Sequence, residues 1–97
     1  MPDDQAERYR RLAQEHEIGI SIHAPYYISF GSKKPEVVER SKERMIQCFS
    51  LAGKLGAERI IFHPGYPPGK SEIERRRGVE QIISSLKEIE PFRPEGV

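Results

Sequence analysis

Two histidines stand at the ends of two short apolar runs. GISIHAPYY, residues 19–27, carries His23, and ERIIFHPG, residues 58–65, carries His63. A neutral imidazole is a common ligand of zinc and other first-row divalent metals. In the first run Ile18, Ile20 and Ile22 alternate with Gly19, Ser21 and His23, the period-two pattern of a strand with one face against helices. In the second, Ile60 and Phe62 fall on one side and Ile61 and His63 on the other. If the isoleucine and phenylalanine faces meet the helices, both histidines point to the opposite face. Neighbouring parallel strands lie about 4.8 Å apart, so the two rings could converge on one metal or on two adjacent ones. The plain alternative is that each is a hydrogen-bonded structural histidine, because their spacing alone is not a metal motif.

The stretch FHPGYPPGKS, residues 62–71, ends like a nucleotide-binding loop. A P-loop needs G-x-x-x-x-G-K-[ST] between strand and helix. Here only three residues separate Gly65 from Gly69, and Pro64 stands where the first glycine belongs. Pro67 and Pro68 have no N–H to offer a phosphate. The pattern therefore excludes a P-loop and leaves Lys70 as a point charge on a proline-stiffened turn.

The elements that must position the histidines follow from periodicity. A helix is expected over 4–16, a strand over 19–24, a helix over 35–55, a strand over 58–63 and a helix over 71–89. Pro35 suits a first helical turn and Gly56 a helix stop. Val38, Met45, Phe49, Ala52 and Leu55 form the apolar stripe of the second helix. Ser71 and Glu74 make the S-x-x-E start of the third, with Val79, Ile82, Ile83, Leu86 and Ile89 as its stripe. Ile60 to Phe62 is apolar throughout, as in a strand buried on both faces. Strand–helix–strand–helix order predicts an α/β fold with parallel strands. The strand ends that carry the histidines are the ends where such folds build sites.

The 97 residues, 16 basic and 15 acidic, give a net charge of +1. That balance carries no nucleic-acid signal by itself, so any phosphate-binding face must come from local clustering. The single cysteine, Cys48, excludes an intrachain disulfide and fits a reducing compartment. No apolar stretch is long enough to span a membrane. The polar start MPDDQAERYRR does not read as a secretory signal; a cytoplasmic protein is the default expectation.

IHAPYYISFGS, ERSKERMIQCFSLAGKLGA and IIFHPG resemble the endonuclease IV family of apurinic/apyrimidinic endonucleases, within the xylose isomerase-like (β/α)₈ barrels. The resemblance covers about residues 8–69. It implies that His23 and His63 are zinc ligands of a three-metal site that hydrolyses DNA on the 5′ side of an abasic site. There the metals would lower the pKa of water and stabilise the developing charge. It implies a DNA contact for Tyr26. Lys33 and Lys34 lie in the same loop and could meet the DNA backbone as sequence-blind phosphate contacts.

The family's remaining carboxylate and histidine ligands belong to later strands. The chain is therefore expected to be a partial (β/α)₈ TIM barrel, strands two and three of eight with three helices, and inactive as an isolated monomer. A homo-oligomer would cover its exposed strand edges. Two other functions stay open: a segment of a sugar isomerase or epimerase of the same superfamily, and a non-catalytic self-assembling or interaction module.

Overall fold

Pro35 in its first turn starts one helix, and Gly56, in the left-handed conformation at φ 65°, ends it. A proline is preorganised for a helix start, and only glycine adopts that terminal conformation without strain. The computed structural model describes residues 1–97. The order is α1 (Asp3–Glu15), β1 (Ser21–His23), α2 (Pro35–Leu55), β2 (Arg59–Ile61), α3 (Glu72–Ile89) and a 3₁₀ turn, Glu90–Phe92. α3 starts on Ser71, whose hydroxyl accepts from the Glu74 N–H at 3.1 Å and donates to the Glu74 carboxylate at 3.1 Å.

The two strands pair in parallel, with Ser21 beside Arg59, Ile22 beside Ile60 and His23 beside Ile61. Each is three residues long, shorter than the expected spans 19–24 and 58–63. One further main-chain bond flanks the ladder at each end, from Glu58 N–H to the Ile20 carbonyl (2.9 Å) and from Ala24 N–H to the Ile61 carbonyl (2.8 Å). Pro25 has no N–H to continue it.

All three helices lie on one side. Ile22, Ile60 and Phe62 turn toward them and are half-buried, whereas Ser21, His23, Arg59 and Ile61 are exposed. The expectation that β2 is covered on both faces is corrected: Ile61 is 49% exposed, because no layer of this chain packs on the histidine face. The α3 stripe is also narrower than its pattern suggests. Ile89 is buried and Ile82 and Leu86 pack on the core, while Val79 and Ile83 stay about half exposed.

The core sits where the loop after β1 meets the helices. Ala24, Ile28 and Phe30 pack with Met45 and Phe49 of α2 and Ile89 of α3. Two polar side chains clamp that loop from opposite sides. Ser41 of α2 accepts from Ser29 N–H at 2.9 Å and donates toward the Val37 carbonyl at 2.8 Å. Gln81 of α3 donates to the Phe30 and Ser32 carbonyls at 2.7 and 2.8 Å. Lys42, drawn to both Glu39 and Glu88, ties α2 to α3. These carboxylates hold the Lys42 ammonium above its ordinary pKa, the Glu88 hydrogen bond most strongly.

The radius of gyration is 15.6 Å and the extents are 51 × 22 × 22 Å. A compact domain of this length would have a radius near about 13 Å. The chain is elongated, with one layer of helices on a two-stranded ribbon.

Candidate metal centre

His23 is the last residue of β1, and His63 follows β2 by two residues. The register places His23 beside Ile61, so His63 lies two positions further along the neighbouring strand, on the same face. The ring centroids are 5.4 Å apart, with the planes inclined at 47°. The His23 ring is oriented by its Nδ1, 2.7 Å from the Ala24 carbonyl. A carbonyl only accepts, so Nδ1 carries the hydrogen and Nε2 keeps its lone pair. A metal-ligating histidine is held in the same way, by donating its other nitrogen's hydrogen to a carbonyl or carboxylate.

The spacing can be tested against an ion. A zinc–nitrogen bond of about 2.0–2.1 Å puts each ring centroid about 3.2 Å from the metal, and two rings at a tetrahedral angle then lie about 5.2 Å apart. The observed separation fits two imidazoles sharing one ion. Two neutral nitrogens suit zinc or another first-row divalent metal. A catalytic zinc usually takes three protein ligands, and no group of three His, Cys, Asp or Glu side chains is assembled in this chain. His23 and His63 would therefore hold two of the positions.

An open cleft of about 500 Å³ begins at His63 and runs between the two βα loops, with Tyr26, Tyr27 and Tyr66 along it. Tyr26 is 85% and Tyr66 90% exposed. Adjacent residues of an extended chain point opposite ways, but Tyr26 and Tyr27 follow Pro25 outside the strand. They meet edge to face at 5.8 Å, and both are exposed.

The loop carrying Tyr66 is rigidly seated. Phe30 N–H donates to the Pro64 carbonyl at 2.8 Å. Gly65, at φ 92°, lies so close to Ser29 that an added Cβ would come within 2.9 Å of its Cα. A Cβ on Gly78 of α3 would come within 2.7 Å of the Pro67 Cα. The prolines that defeat the P-loop pattern are thus a packing strip against α3.

The lysines occupy a different place from the cleft. Lys33 pairs with Glu74 at 3.4 Å, and Lys34 caps α2, with its N–H on the Ser32 hydroxyl at 3.1 Å. Sequence reasoning passed over Ser41, Gln81, Tyr66 and Arg44. For Ser41 and Gln81 a signal existed: each is a polar residue at a core-facing position of an apolar helical stripe. Arg44 and Tyr66 carry no local signal. Cys48 is half-buried on α2, and desolvation pushes its thiol pKa up.

A parallel βα segment with its chemistry at the carboxyl strand ends defines an α/β-barrel type of protein. A family model described as xylose isomerase-like TIM barrel matches residues 1–97, and the chain belongs to that family. It is 32% identical over 96 residues to a probable endonuclease 4 of Haloarcula marismortui, covering 98% of this chain and 33% of the relative. It is 28% identical over 90 residues to a probable endonuclease 4 of Thermotoga maritima, covering 90% and 30%. The chain thus spans about a third of the length of these relatives. The same architecture recurs in a D-tagatose 3-epimerase-like protein, with TM-score 0.73, 23% identity, and coverage of 92% of this chain and 34% of that one. A Thermus thermophilus protein soaked with ZnCl2 has TM-score 0.51 and 21% identity, with coverage of 84% and 36%. The expected partial α/β barrel is therefore the fold. No helix is long and apolar enough to cross a membrane.

Proposed function

We propose that this chain is the part of an endonuclease 4-like, zinc-dependent phosphodiesterase that supplies two metal ligands and one wall of the groove for DNA containing abasic sites. The observation that carries the reading is the His23–His63 pair, 5.4 Å apart on one face at the carboxyl ends of adjacent parallel strands. The probable endonuclease 4 relatives support it.

Zinc, when bound, supplies Lewis acidity toward a phosphoryl oxygen and a lowered water pKa. The residues of this chain hold and orient. The Ala24 carbonyl holds the His23 Nδ1 hydrogen and leaves Nε2 of the neutral ring as the nitrogen that would take a metal. The clamp of Ser41 and Gln81 ties the loop after β1 to α2 and α3 at Ser29, Phe30 and Ser32, just beyond Tyr26 and Tyr27. Tyr26 would meet the substrate across the cleft. Lys33 and Lys34 would meet more distant phosphates, Lys33 only after leaving Glu74. With two ligands, an isolated monomer binds metal weakly and does not turn over.

Calorimetric titration of the chain with zinc, with and without a duplex carrying an abasic analogue, tests this. Zinc uptake lost in both His23→Ala and His63→Ala, together with duplex binding, is the expected result. Absence of uptake leaves only a non-catalytic assembly or interaction module. Sugar isomerisation without nicking by the metal-loaded protein selects the isomerase or epimerase class.

A further inference from the structure

We propose that Arg40 and Arg44 of α2, with the Tyr27 hydroxyl, form a second phosphate site that adjoins the His63 cleft and binds the nucleic-acid backbone. The inference rests on the DNA reading above. The two arginines are one helical turn apart, a spacing that puts side chains on one face about 5–6 Å apart at Cβ. With Tyr27, Val37 and Ser41 they line a hollow of about 250 Å³. Tyr27 also lines the cleft that begins at His63. One tyrosine is thus the shared wall of both, and the hollow adjoins the cleft on the α2 side.

Geometry rather than charge alone distinguishes this place, because two arginines share one hollow and one of them is held by a tyrosine hydroxyl. Nearly all charge on the chain cancels, to +1. On the same helix Lys42 is drawn to Glu39 and Glu88 and Lys54 to Asp3. Arg40 and Arg44 take part in no ion pair, although Glu36 and Glu43 lie on the same helix. Glu39, the acid nearest Arg40 in sequence, is drawn to Lys42 instead. The Arg44 guanidinium is already oriented, donating from Nη1 to the Tyr27 hydroxyl at 2.7 Å. That bond uses one of its five N–H groups and leaves the others for a bidentate grip on a phosphate. Tyr27 is then a positioning residue: it touches Arg44 and sets the direction of its fork.

The experiment is fluorescence anisotropy of the zinc-supplemented chain on a labelled duplex with an abasic analogue and on its intact counterpart, over a range of KCl. Each phosphate contact contributes about 0.9 to the slope of log K against log salt. Arg40→Gln and Arg44→Gln should each make the slope shallower by about 0.9, and the double variant by about 1.8. The loss should be equal on the two duplexes, since phosphate contacts are blind to the lesion. Arg77→Gln, on α3, should leave the slope unchanged. Glutamine is a good helix former, so matching far-UV circular dichroism is expected for all variants. Wild-type binding with an unaltered slope in the double variant overturns this site while leaving the DNA reading intact. Failure of the wild-type chain to bind either duplex overturns both.

Discussion

At the scale of single residues, the candidate centre depends on where two imidazole nitrogens point. The His23 hydrogen goes to the Ala24 carbonyl, which leaves the distal nitrogen free for a metal. Replacing either histidine by alanine should weaken zinc binding by at least about tenfold, the lower end of what even an indirect ligand partner contributes. Competition against a chromogenic chelator measures it, and a variant that keeps wild-type affinity removes that histidine from the site. Ser41 is the other decisive residue. The buried Ser41 hydroxyl satisfies the part-buried Ser29 N–H, so Ser41→Ala strands that donor. A loss of about 1–3 kcal/mol is expected from urea unfolding. No change would mean that the loop after β1 does not depend on that bond.

At the scale of elements, α3 owes its start to Ser71 and Glu74. The Ser71 hydroxyl, then Lys33, holds the Glu74 carboxyl below its ordinary pKa of 4.5. A carboxylate with a depressed folded pKa contributes stability that is complete above the unfolded value and is lost as pH falls through the folded one. The advantage of wild type over Glu74→Gln should therefore be present at pH 6 and fade as the pH falls below 4.5 and through the depressed folded value, read as the thermal midpoint by circular dichroism. An advantage that persists in acid would assign the effect to geometry rather than charge. Removing the cap itself, Ser71→Ala, should cost about 1 kcal/mol, and more at pH 6 than in acid, because the same hydroxyl holds the Glu74 carboxyl down. The loop between β2 and α3 depends equally on close approach. Gly78→Ala should unseat Pro67, and limited proteolysis between Pro64 and Ser71 should then accelerate.

At the scale of the whole molecule, an elongated chain with 15 buried residues of 97 carries little core for its length. Both outer strand edges are open, since the sheet contains only β1 and β2. An unpaired edge is a template for another strand. We propose that copies associate through these edges. Sedimentation should show species heavier than the 11.2 kDa chain as concentration rises. A monomer throughout the micromolar range, with sharp amide signals, would mean that the edges are protected by some other means.

How much of this was legible in the sequence depends on the range of the interaction involved. Helix periodicity, Pro35, Gly56 and the Ser71–Glu74 start are local signals, decided by backbone sterics and hydrogen bonds within a turn. The order of elements, with right-handed parallel crossovers the norm, was enough to expect an α/β fold with parallel strands, and the resemblance of IHAPYYISFGS and IIFHPG to a known family added the barrel. Only the tertiary structure decided that Ile61, Val79 and Ile83 stay half exposed, because burial depends on which neighbour is present and not on the residue's own hydropathy. It alone brought the rings of His23 and His63 to 5.4 Å, and it alone set Arg44 on Tyr27. Those distances are fixed by strand register and helix docking, which join residues far apart in the chain and leave no local trace in it.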